Sequence, residues 1–173
     1  SGDKAHAQAA EKHYNDALEV RRREAAPADW AMTQHALGDF YLRRYERSGD
    51  EAHAQAAEKH YNDALQEYRR EAAPAHWAMT QHSLGNLYAQ RYKRLGDEAH
   101  AQAADGHYRE VLEAASNLAL PLIYPFRAAA GLTRLEFRRR RWEPAIAAFR
   151  RAWFSLNELY HQQVFRQSKE TWL

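Results

Sequence analysis

The sequence predicts an all-α chain, a solenoid of antiparallel helix pairs with about seven helices. Three observations carry this expectation. Residues 48–94 repeat residues 1–47 with 36 of 47 positions identical, and a third, fading copy opens at Leu95-Gly96-Asp97. A fixed period of this size marks stacked supersecondary units, each of which buries its apolar face on a neighbour. Strong helix formers (Ala, Glu, Arg, Gln, Leu) dominate, against only 7 Gly and 5 Pro, and no run alternates β-branched residues at period two.

One repeat domain over residues 1–173 is expected. It comprises the second helix of a truncated repeat at 1–26, full repeats at 27–73 and 74–120, and a divergent terminal repeat at 121–173 with a long last helix. The first helix is placed at about 3–24, with Asp3 as N-cap and a thin stripe of Ala7, Ala10, Tyr14, Ala17 and Leu18 at three- and four-residue steps. Glu24-Ala25-Ala26-Pro27 ends it, because proline cannot continue a helix yet suits the first turn of the next. The second helix, about 27–47, puts Trp30, Gln34, Leu37, Tyr41 and Tyr45 on one face with Gly38 at its edge. A glycine there costs about 1 kcal/mol against alanine, which points to close approach of a neighbouring helix.

Ser48-Gly49-Asp50 is the next turn, with Gly49 left-handed and Asp50 as the following cap. The cycle repeats with helices at about 50–71, 74–94 and 97–116. Pro121 and Pro125 then break the pattern, a shorter helix is placed at about 125–138, and the last at about 142–169 with Pro144 in its first turn.

Composition excludes several classes. Twenty-five basic against 23 acidic residues leave a net charge of +2, too little for a dedicated nucleic-acid or membrane surface. With no cysteine there is no disulfide framework, thiolate nucleophile or thiolate metal ligand, which suits a reducing, cytoplasmic setting. No apolar run approaches the ~18–20 residues that span a bilayer, and no signal peptide opens the chain. Lacking an initiator Met, the chain reads as an excised fragment. No nucleophile–base pair, Gly-rich phosphate loop or metal set is visible, so it is not expected to be an enzyme or to carry a cofactor. His6 and His13 lie about 10 Å apart along a helix, too far to share one zinc ion, and the other repeated histidines form no ligand set.

At Leu37, Gly38 and Tyr41, repeated as Leu84, Gly85 and Tyr88, the chain resembles the tetratricopeptide repeat family. The family's Ala-x3-aromatic-x2-Ala half is matched by Ala10, Tyr14, Ala17; by Ala57, Tyr61, Ala64; and by Ala145, Phe149, Ala152, with Ala104, Tyr108 and Val111 close to it. The terminal repeat keeps Gly131 but has Arg134 in the tyrosine's place. This long form, with its Pro-Ala-x-Trp-Ala-Met-Thr-Gln opening, is similar to repeats of bacterial proteins that end in a CHAT domain, a caspase-like cysteine peptidase. The closing segment from Arg141 to Leu173 resembles the stretch before that domain. The resemblance implies a superhelix that binds a protein or extended peptide on its concave face. The alternative it implies is a regulatory or sensor arm whose catalytic domain lies outside this chain.

In the family the first helix of each pair lines the concave face. That implies a groove of Met32, His35, Asp39, Leu42 and Arg43, and of Met79, His82, Asn86, Ala89 and Gln90 in the next copy. Seven differences between the copies in this helix, Asp39/Asn86, Leu42/Ala89 and Arg43/Gln90 among them, all lie away from the core face. They are either a graded groove or drift at positions free of packing. On the groove reading, Asp39→Ala with Asn86→Ala weakens binding and leaves helicity unchanged. The carboxylate clamp of some family members requires Lys at His35 or His82 and is absent. The basic runs Arg21–Arg23 and Arg138–Arg141 lack interleaved aromatics and read as solvated helix ends. In the last helix Trp142, Ile146, Phe149, Trp153, Leu156 and Tyr160 step by four and three, widened by Phe154. That face, Trp142, Ile146, Trp153, Phe154 and Tyr160 above all, is expected to contact a linked C-terminal domain, a further helix or a second copy. The truncated first helix is open to self-association in the same way.

Overall fold

The computed structural model describes the backbone of residues 2–118 and 120–170. It is all-helical: α1 Gly2–Val20, α2 Pro27–Ser48, α3 Glu51–Leu65, α4 Pro74–Leu95, α5 Glu98–Asn117, α6 Ile123–Arg138 and α7 Trp142–Glu170. The described residues contain no strand. Two compact units divide the chain, Ser1–Ser83 and Leu84–Leu173, with their border inside α4.

Local chemistry sets most boundaries. Asp50 Oδ1 accepts the Ala52 N–H at 3.0 Å and Asp97 Oδ1 that of Ala99 at 2.9 Å, so both act as N-caps. Gly49 and Gly96 take φ of 73° and 70°, the left-handed conformation that closes a helix without a Cβ penalty. Helix α1 begins at Gly2, so Asp3 falls inside it rather than at the position before it. Helix α3 stops at Leu65, short of the expected 71, and turns fill the stretch before Pro74. The Tyr68 ring is 4% exposed, packs with Ala31, Ala64, Trp30 and Ala73, and stacks on His76 at 4.7 Å. The Tyr68 N–H still bonds the Ala64 carbonyl at 2.9 Å, so the residue keeps to the inward stripe of Tyr61 and Ala64.

In the first unit α2 packs on α3 through a glycine. A Cβ on Gly38 would lie 2.4 Å from Tyr61 Cε1, so the ring occupies the space of the missing methyl. This is the close approach that the mid-helix glycine implies. Tyr61 is fully buried, and its hydroxyl donates to Asp39 Oδ1 at 2.7 Å. Beside it Tyr41 stacks on His60, with 5.4 Å between centroids and 6° between planes. Tyr41 also donates to Glu11 at 2.6 Å, and Arg44 reaches the same carboxylate at 3.2 Å. Arg23 lies over Trp30 at 5.1 Å and Arg70 over Trp77 at 5.3 Å, the same cation–π contact at each entry into a proline-led helix.

The second unit repeats the device and extends it. Tyr108 is 1% exposed and sits between two glycines. A Cβ on Gly85 or on Gly131 would come within 2.6 Å of its ring. Its hydroxyl donates to Asn86 at 2.8 Å, and Tyr88 stacks on His107 at 5.5 Å. Helix α7 packs on α6 with Ala145, Ala148, Ala152 and Ser155. Glu136 is 0% exposed and is held by Arg139 at 2.9 Å and Arg141 at 3.2 Å. Arg139 bridges on to Glu98. A buried carboxylate is tolerated only with such partners. The turn after α6 places Arg140 at φ 57°.

Candidate protein-binding face

The arc read as a groove divides into residues that face solvent and residues held by neighbours. In the first unit Met32 is 49% exposed and Arg43 is exposed, while Asp39, Met79 and His82 are half-buried. His35 is buried, with Nδ1 3.0 Å from Thr80 Oγ1 and Nε2 3.6 Å from Asp39 Oδ2. Leu42 is also buried. In the second unit Asn86, Ala89 and Gln90 are half-buried. The exposed part of the arc is therefore a methionine beside charged and amide groups, above a buried histidine.

Burial lowers the His35 pKa below its ordinary value, Asp39 partly offsets that, and His76 adds to the lowering. Burial likewise lowers that of His60, helped by Lys59 and opposed by Asp63 and Glu11. Tyr41 is pushed up to about 12, first by burial and then by its bond to Glu11. Tyr61 and Tyr108 also move up on burial. In each case burial, which disfavours the charged form, is the leading cause. Among the described residues no group of three or more His, Asp or Glu side chains could hold one metal ion.

The structure gives Asp39 and Asn86 a second role. Each accepts the hydroxyl proton of a buried tyrosine, Tyr61 or Tyr108. Aspartate and asparagine are interchangeable as acceptors, so the difference between copies keeps the bond while changing the charge. The pair Asp39→Ala and Asn86→Ala therefore disturbs the core as well as the surface, and it does not isolate binding. Sequence reasoning missed this role. The signal is present, as an acceptor next to each glycine and a tyrosine 22 residues on.

On α7 the residues read as a contact face are open. Trp142 is 54% exposed, Ile146 52%, Phe149 55%, Trp153 61% and Tyr160 63%, an apolar ridge along one helix face, and Phe154, 66% exposed, lies to one side of it. Phe149, the counterpart of Tyr61 and Tyr108 in the repeat motif, lies outside the core that encloses the other two. Thr171, Trp172 and Leu173 of the closing resemblance lie outside the described residues. None of the described helices is long and apolar enough to cross a membrane. Comparison with family models, curated proteins and solved structures gave no match.

Proposed function

We propose that this chain is an interaction scaffold of the tetratricopeptide type, working in the cytoplasm by binding rather than by catalysis. It holds a protein or extended peptide on the open arc of its proline-led helices. The observation that supports this most is Met32, 49% exposed on a helix whose other sides are packed and flanked along its arc by Asp39 and Arg43. Methionine adapts its shape to different apolar partners, and the charges beside it supply orientation. In the second unit Asn86, Ala89 and Gln90 offer a shallower, uncharged version of the same arc. Peptides selected against the full chain from a displayed random library test the reading. Met32→Lys with Arg43→Glu alters two exposed positions and leaves the core intact. Selected peptides are expected to lose at least about tenfold in affinity for that variant. Equal affinity for both proteins would place the binding face elsewhere.

The ridge on α7 supports a second reading, a regulatory arm of a larger effector, of which a CHAT-type cysteine peptidase is the form the repeat resemblance implies. Large exposed apolar patches mark contacts with other protein surfaces. Intact mass and C-terminal sequencing of the native polypeptide test it. Continuation into a domain carrying Cys and His supports the arm, and termination at Leu173 sinks it.

A further inference from the structure

We propose that the end of α6 carries a separate site for an acidic peptide segment with an apolar anchor residue. Thr133, Arg134, Phe137, Arg138, Arg140 and Trp142 line an open cleft of about 530 Å³ within the second unit. The run Arg138–Arg141 splits in two at this turn. Arg139, largely buried, and the more exposed Arg141 both pair with Glu136. Arg138 and Arg140 turn to the cleft, joined by Arg134 from one helical turn earlier. Among the described residues none of these three has a carboxylate within ion-pair distance. The cleft thus gathers three cationic groups whose counter-charge the fold does not supply.

Its walls are apolar. Phe137 is 64% and Trp142 54% exposed, and they meet edge to face at 5.2 Å and 77°. The sequence run lacks interleaved aromatics, but the turn brings one from each side of it. Two departures from the repeat pattern coincide here. Where the earlier copies have Tyr41 and Tyr88 under stacked histidine rings, this one has Arg134, and the filled space becomes a cleft. Where the earlier turns have Gly49 and Gly96 in the left-handed conformation, this one has Arg140 at φ 57°, a conformation that disfavours a side chain.

Arg134 and Arg138 lie four apart on one helix face, about 5–6 Å between Cβ atoms. Acidic side chains two apart in an extended peptide recur at about 6.6 Å and lie on one side, so both arginines can be met at once, each by a forked pair of hydrogen bonds. The next side chain in the same row is the one to rest on Phe137 and Trp142. A nucleic acid is the weaker candidate, because its backbone needs a long basic track and this chain has a net charge of only +2.

The test uses a fluorescein-labelled peptide with glutamates at alternate positions followed by a phenylalanine in the same row, followed by anisotropy on the full chain. Salt-sensitive binding is expected. Arg134→Glu with Arg138→Glu should weaken it by at least about tenfold. Arg150→Glu with Arg151→Glu, the same charge change on α7 outside the cleft, should not. Arg140→Gly relieves the backbone and keeps the fold, and it too should weaken binding. Three results overturn the proposal: no peptide binding, equal loss with both charge-reversal pairs, or a single-stranded oligonucleotide or inorganic phosphate binding where the peptide does not. None of these bears on the α2 arc, where Met32 and Arg43 are tested independently.

Discussion

Replacing Gly38 by alanine should destabilise the protein, although alanine is the better helix former. Helix propensity alone favours the change by about 0.8–1 kcal/mol. Against it, the added methyl would stand 2.4, 2.5 and 2.9 Å from three carbons of the Tyr61 ring. That ring is fully buried and tied to Asp39 at 2.7 Å, so it cannot swing clear as an exposed side chain would. Overpacking of this kind costs about 1–3 kcal/mol, and loss of the tyrosine hydrogen bond adds about 0.5–1.5 kcal/mol. The net is a loss of about 0.5–3.7 kcal/mol. Gly106 supplies the contrast, because a Cβ there meets nothing within 4 Å in the interior of α5. Gly106→Ala should therefore gain about 0.8–1 kcal/mol. Urea denaturation followed by far-UV circular dichroism gives both midpoints. The packing argument fails if Gly38→Ala shifts the midpoint upward as Gly106→Ala does.

Two further outcomes follow from the same contacts. Asp39→Asn copies the second repeat and keeps an acceptor for Tyr61, so stability should stay within about 0.5 kcal/mol, whereas Asp39→Ala removes the carboxylate acceptor of the buried hydroxyl, leaving it Ser83 alone, and should cost about 1–3 kcal/mol in the same denaturation experiment. Burial lowers the pKa of His35 and His60 in the fold, so the unfolded chain binds protons first as pH drops. Their contribution is complete above the unfolded value near 6.5 and is lost as pH falls below it through the lowered folded values. The urea midpoint should thus decline on acidification below that point. His60→Phe, which keeps an aromatic ring against Tyr41, should flatten part of the decline, and a midpoint that does not move with pH contradicts the assignment.

What could be read from the sequence follows the range of the interactions. Asp50, Asp97, Gly49 and Gly96 act on residues a few positions away, so their roles as caps and turns are plain in the chain itself. Gly38 advertises a close approach because a mid-helix glycine is costly, but not that Tyr61 is what approaches. The early end of α3 is not legible, since local propensity favours continuing and the contacts of Tyr68 with Ala31 and His76 are made across the chain. The bonds of Asp39 and Asn86 to buried tyrosines are hidden because their partners lie 22 residues on. At Arg138–Arg141 the sequence shows four like charges. Only the turn decides which two pair with Glu136 and Glu98 and which two are left facing Phe137 and Trp142.

Tyr108 touches two helices with one ring. Gly85 and Gly131 each leave room for the same six carbons, so neither joint can be altered without moving the pin of the other. A strain introduced where α4 meets α5 is passed to α6 as a displacement of that ring rather than absorbed locally. The three positions thus form one packing unit, in which a bulkier residue at either glycine meets the same ring.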